Sequence, residues 1–293
     1  MTHTAQLDPW HAVTNVPDLT SSTEEHIAFA LQAAILAPSN HNTQPWRFPG
    51  HGETIELFAD RSRALPVVDP HHRELIMSCG AALFHARVAL RALGHDPVVT
   101  RIPGGGTPDL LARLELGAQA EPSAEDGQLL MAIPARPTNR FPFEQRSIPK
   151  RLSQELKHVV EREAAQLVSI TKEEAKSHIS SLIDNGDRLQ WHDRRFRVEL
   201  AAWTRANHSE RHDGIPGCGL GHGEVSSVVS RWSSGPSTSV MDRRRATANW
   251  QMVPRPLLCS SPTGKARRSG WPPVRLSTIS CFVHRARECS LHS

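Results

Sequence analysis

The sequence predicts an α+β chain, and three observations carry that assignment. Apolar residues recur at helical spacing over 27–36 and again over 74–93. The segment Thr54–Ala59 alternates apolar and polar residues as a half-buried strand does. Short strand candidates at 98–102 and 111–116 follow the second helix, and further amphipathic helices come after them. At 293 residues the chain can bury a sizeable core, as one large domain or two small ones.

The elements are taken in chain order. Residues 1–22 read as a loose lead-in interrupted by Pro9 and Pro17. Ser21, Ser22 and Thr23 precede Glu24 and Glu25, which suits a helix start. That helix carries Ile27, Ala30, Leu31 and Ala34 and runs into Pro38, which cannot continue it. Ser39, Asn40, His41, Asn42, Thr43 and Gln44 follow at once, before Pro45, Trp46 and Phe48 turn apolar again. A cluster of hydrogen-bonding side chains held between two prolines is suited to a flat, polar-edged ligand; a plain polar turn is the alternative.

The helix over 74–93 has Leu75, Cys79, Ala82, Leu83, Ala86, Leu90 and Leu93 on one face, and Gly94 stops it. Its alanines predict close packing on another helix. Gly104, Gly105 and Gly106 lack the Lys-Ser/Thr ending of a phosphate loop and read as a turn. Arg136 and Arg140 flank Thr138 and could clamp a phosphate through fork-shaped hydrogen bonds, although two solvated loop arginines would look the same. Residues 152–167, 172–183 and 194–203 read as amphipathic helices, and 212–217 as a turn.

Composition narrows the function class. No apolar run is long enough to span a membrane, and the N-terminus lacks a basic and apolar leader, so neither a membrane nor a secretory signal is expected. Five cysteines without CxxC spacing argue against a disulfide framework or a zinc site and fit a reducing cytoplasm. The 17 histidines include no HExxH or other metal-ligand set, and no nucleophile signature is present. No metal is therefore assigned.

Pro38-Ser39-Asn40-His41-Asn42-Thr43-Gln44-Pro45-Trp46 resembles the PSxxNxQPW motif of FMN-dependent nitroreductases. Arg136-Pro137-Thr138-Asn139-Arg140 resembles their Arg-x-Ser/Thr-x-Arg/Lys motif. The usual order of the two motifs is reversed here, as in the Acg-like nitroreductases of actinobacteria, in which two nitroreductase-like halves are fused. Ser78-Cys79-Gly80-Ala81-Ala82-Leu83, Phe196-Arg197-Val198-Glu199-Leu200 with Trp203, and Asp213-Gly214-Ile215-Pro216 extend the resemblance, which covers about 25–229. It implies a lead-in over 1–24, a first half over 25–130 and a second, partial half over 131–229. It also implies FMN between the halves of a pseudo-dimeric monomer. Ser39, Asn40, Asn42 and Gln44 would approach the flavin, and Arg136, Thr138 and Arg140 would hold its phosphate and ribityl chain. NAD(P)H would be the electron donor, with a small nitro compound or quinone as substrate; the chemistry would belong to the flavin. A flavin-sequestering protein without turnover is the alternative within the same resemblance.

The resemblance stops after Val229. Residues 230–293 hold 12 Ser, 6 Pro and 10 Arg, and carry 11 basic against 2 acidic residues, leaving 23 basic and 28 acidic in 1–229. Composition alone predicts disorder and, from the charge, a nucleic-acid arm. An out-of-frame reading explains both features without such a partner. Read from the third base of each codon, Asn249-Trp250-Gln251-Met252-Val253 becomes Leu-Ala-(Asp or Asn)-Gly whatever codons were used. A frameshift near Ser230 is expected, no nucleic-acid partner is expected, and a truncated, non-functional product is the third reading.

Overall fold

The computed structural model describes residues 15–49, 53–101, 107–138, 147–207, 209–217 and, for the backbone alone, 257–262. The first helix, α1 (Thr23–Ile35), starts where its capping residues dictate. Ser22 Oγ accepts from Glu25 N, and the Glu25 carboxylate reaches back to Ser22 N at 2.8 Å. The lead-in is less loose than expected at its end. Asp18 accepts from Thr20, and His26 Nε2–H donates to the Asp18 carbonyl at 2.9 Å. A carbonyl only accepts, so His26 Nδ1 is the acceptor for His95 Nε2–H at 2.8 Å.

Strands β1 (Trp46–Arg47), β2 (Thr54–Ala59), β3 (His95–Arg101) and β4 (Leu110–Gln119) form one antiparallel sheet in the order β1-β2-β4-β3. Along β2, Ile55, Leu57 and Ala59 are buried and the residues between them are not, which is the alternation read from the sequence. Across one face lies α2 (Arg73–Ala92), packed on α1 and on α3 (Ala124–Ala135). Alanines at 30, 33, 34, 81, 82, 86 and 89 are fully or almost fully buried where these helices meet, so backbones approach closely. By length and composition α2 is apolar enough to cross a membrane, against the expectation that no segment is; two thirds of its apolar window is buried inside this core.

The core runs from Ile27 to Ile133 and takes in α3, a helix with no counterpart among the expected elements. Its start was visible in a capping box: Ser123 Oγ accepts from Asp126 N. Pro134 near its end weakened the helical pattern.

Beyond it, α4 (Lys150–Arg162) is shorter than the expected 152–167 helix. Ala164 takes a left-handed φ of 55° and the chain continues as β5 (Ala165–Ile170). Helix α5 (Glu173–His192) runs longer than expected, and α6 (Arg194–Trp203) has the expected bounds. Two-residue strands β6 (Thr204–Arg205) and β7 (Ile215–Pro216) pair in parallel. Residues 257–262, in the tail read as disordered, form β8 and pair antiparallel with β5. Among the described residues β5 has no other strand partner, and an open edge is a template for pairing. Gly104–Gly106 lies outside the described residues.

Core quality differs sharply along the chain. Among the described residues, the second region contributes a cluster of only Val160 and Ala165, with Leu167 against it. Val168, Leu182, Ile183, Leu189 and Val198 are exposed there, Leu189 by 75%.

One buried group ties the first core to pH. His85 is fully buried in α2, its Nδ1–H donating to the Ala33 carbonyl at 3.1 Å. Burial pushes its pKa from 6.5 down to about 3, and the Arg136 charge acts in the same direction. Between those two values the unfolded chain binds a proton that the folded chain refuses. Stability therefore falls with pH in that window, with a slope approaching about 1.4 kcal/mol per pH unit from this group. Urea unfolding from pH 7 to pH 4 is expected to show that loss, and His85→Gln to flatten it.

Candidate functional site

Three of four successive positions in the loop after α1 adopt left-handed backbone: His41 at φ 48°, Asn42 at 53° and Gln44 at 51°. None is glycine, so the loop stores strain that its surroundings must offset. Local bonds supply part of the compensation. Ser39 Oγ accepts from Gln44 N at 2.9 Å, Ser39 O from Asn42 N at 3.0 Å, and Asn40 O from Thr43 N at 3.0 Å. The first turns of α2 hold the loop from one side. Asn40 N donates to Ser78 Oγ at 3.3 Å, Asn40 Nδ2 to the Glu74 carboxylate, and Cys79 Sγ lies 3.2 Å from the Pro45 carbonyl. Burial pushes the Cys79 thiol up to about 12, so it is inert as a nucleophile.

The segment after α6 holds the loop from the other side. Asn42 Nδ2 donates to His212 O at 3.1 Å and Gly214 O at 3.0 Å, while Gln44 Nε2 donates to His212 O at 2.7 Å. Gly214 N returns a bond to Asn42 O at 3.0 Å. Glycine is required at 214: φ is +83° and a Cβ would sit 2.5 Å from the Trp203 carbonyl. Asp213, beside it, binds three arginines. Arg63 Nη2 lies 2.9 Å, Arg205 Nη2 3.2 Å and Arg211 Nε 3.0 Å from its oxygens. Burial raises the Asp213 pKa, but the Arg211 hydrogen bonds and the Arg205 charge outweigh it and hold the carboxyl below its usual range. Arg63 also donates to the Thr43 carbonyl at 2.7 Å, and both Arg63 and Arg205 lie over the Trp203 ring at 5.6 and 5.5 Å.

Two further carboxylates fix the 65–73 connection. Glu199 accepts from Val67 N and Val68 N at 2.9 and 3.0 Å. Asp69 accepts from Arg73 N and Leu75 N at the start of α2. A small cleft remains, lined by Asn40, Thr43, Arg63, Asp69, Glu74 and Ser78.

Of the residues singled out from the sequence, Ser39, Asn40, Asn42 and Gln44 thus share one constrained loop. The amide N–H groups of Asn42 and Gln44 are directed at carbonyls of 212–214, not at the cleft. The Asn40 side-chain oxygen accepts no hydrogen bond from the described residues. Arg136 caps the end of α3, with a long contact of 3.5 Å from Nη1 to Thr138 Oγ1. Arg140 lies outside the described residues. Asn40 meets α2 at Ser78 and the Arg136 charge is felt at His85, two helical turns on, about 10 Å at 1.5 Å per residue. Arg63, Glu74, Glu199 and Asp213 were not singled out as site residues. Glu199 and Asp213 stood in quoted motifs, whereas Arg63 and Glu74 carried no signal in the sequence. Among the described residues no group of three His, Cys, Asp or Glu is placed to hold a metal.

The chemistry of these side chains is compatible with a flat, polar-edged group that carries an anion: the Asn40 oxygen can accept from an imide N–H, and Arg136, at the end of α3, is a cation.

No protein-family model matches the chain. It is 31% identical over 230 residues to a Mycobacterium tuberculosis protein provisionally named NAD(P)H nitroreductase Acg, covering 78% of this chain and 68% of the relative. A second M. tuberculosis protein with a provisional nitroreductase name is 42% identical over 117 residues, 40% of this chain and 33% of the relative. A Serratia protein provisionally named NAD(P)H nitroreductase PigM is 36% identical over 74 residues, 25% of this chain and 21% of the relative.

The loop's dependence on Gly214 is open to test. Gly214→Ala is expected to lower stability by about 2–4 kcal/mol in urea unfolding, since the new Cβ meets backbone. Gly127→Ala in α3, where a Cβ meets nothing, is expected to raise it by about 0.5–1 kcal/mol.

Proposed function

Because the chain belongs to the Acg-like nitroreductase family, we propose that it binds FMN against the 39–44 loop and works as an FMN-dependent NAD(P)H oxidoreductase on nitro compounds or quinones. The observation that carries this reading is the strained loop itself. Backbone strain in three non-glycine residues, fixed from both sides, is the pattern of a site shaped for a ligand.

In this reading Ser39 and Asn40 contact the flat ring system. Asn42 and Gln44 act by setting the loop's shape on 212–214. Arg136 and Thr138, with Arg140, hold the phosphate and ribityl chain. When bound, FMN supplies the chemistry, accepting a hydride from NAD(P)H and passing electrons to the acceptor. The protein's share is to bind, orient and exclude water, and no side chain is assigned a proton-transfer step. We place the protein in the cytoplasm as a monomer whose two fused halves stand in for a dimer.

A second reading is favoured by the uneven core. Among the described residues, the apolar cluster of this region is Val160 and Ala165 and five large apolar residues are exposed, which supports a partial second half; a reading-frame shift near Ser230 would account for it. The chain would then fail to keep its flavin. Flavin absorbance of the purified protein after desalting separates the readings. About one FMN per chain is expected, with Arg136→Ala weakening FMN binding about 10- to 100-fold through the lost charged hydrogen bonds. A colourless protein that turns yellow when the alternative frame is restored would establish the second reading.

A further inference from the structure

The cleft beside the loop is faced by a carboxylate that no family motif quoted above includes. Glu74, in the first turn of α2, accepts a hydrogen bond from Asn40 Nδ2. An ionised carboxylate only accepts, so this contact fixes which end of the Asn40 amide is nitrogen and which is oxygen. Ser78 reinforces the arrangement, since its hydroxyl donates to the Glu74 carbonyl at 2.8 Å and receives Asn40 N. The Asn40 oxygen is thereby left as a preset acceptor.

We infer that Glu74 is a positioning residue for the cofactor: by holding the Asn40 amide, it presents the Asn40 oxygen to an imide N–H of the flavin. This deepens the FMN reading and rests on it. Protonated Glu74 would be a donor and would favour the opposite amide orientation, which removes the acceptor. The surroundings of the group favour that change. Burial raises its pKa above the usual carboxylate value and the Asp69 charge adds to this, while Arg73 and the Asn40 hydrogen bond oppose it. Arg63, across the cleft, is occupied by Asp213 and the Thr43 carbonyl. FMN affinity should therefore decline as pH falls through the Glu74 pKa.

The test is titration of FMN into the full chain between pH 5 and 8, followed by quenching of flavin fluorescence. At pH 8, Glu74→Gln is expected to weaken binding about fivefold, the worth of one neutral hydrogen bond. It should also lose the part of the pH dependence that belongs to Glu74. The titration of the FMN phosphate is common to both proteins and cancels in the comparison. Asn40→Ala should lose a similar factor, and the double variant no more than either single one. If the wild type binds FMN and Glu74→Gln matches it in affinity and pH profile, the positioning role is wrong and the cofactor reading stands. If the wild type binds no FMN across the range, both are overturned.

Discussion

The structure depends on one contact: the strained loop at 39–44 seated on the backbone at 212–214. Left-handed φ at His41, Asn42 and Gln44 costs about 1–3 kcal/mol per residue by general experience, too much for a loop held by its own turns. The compensation comes from residues 170 positions away, where Asn42 and Gln44 give their amide protons to two carbonyls. That docking in turn requires the tight approach of Gly214 to Trp203, and Asp213 next to it draws in Arg63, Arg205 and Arg211. A carboxylate shared by three guanidiniums is worth little for net stability once desolvation is counted, but removing it would leave Arg205, the buried one of the three, without its carboxylate. Its contribution is specificity: it fixes which segment meets the loop and in what register.

Such an arrangement explains how one part of the chain can be well packed and another thin and still share a site. The first core holds α1, α2, α3 and the sheet, built on close alanine contacts. Beside the apolar contact of Val159, the second region meets that core through polar bonds: Glu199 on Val67 and Val68, Arg63 on Asp213, and Arg87 on Glu163. Polar contacts position well but bury little apolar area. Loss of apolar packing in the second region would loosen the site before it unfolded the first core.

Much of the fold could be read from the residues. Helix α2, strand β2 and helix α6 were legible because their periods are uninterrupted, and the end of α2 carries Gly94. The end of α4 was not, since Ala164 turns the chain with an αL residue that no local preference announces. Helix α3 was hidden by its short apolar stretch and Pro134. In the site, the polar cluster between Pro38 and Pro45 was visible as a candidate loop, but the direction of its side chains was not. Asn42 and Gln44 bond to partners that only the tertiary fold brings near. Arg63 and Glu74 are single charged residues in a loop and a helix turn, and nothing in their neighbours distinguishes them from solvated ones.

The central claim is that this polar latch couples the two regions, and a double-mutant cycle tests it most directly. Unfolding free energies in urea would be measured for the wild type, Arg63→Ala, Asp213→Asn and the double variant. Coupling of about 1–2 kcal/mol is expected for partners in one part-buried network. Additivity within about 0.5 kcal/mol would contradict the account.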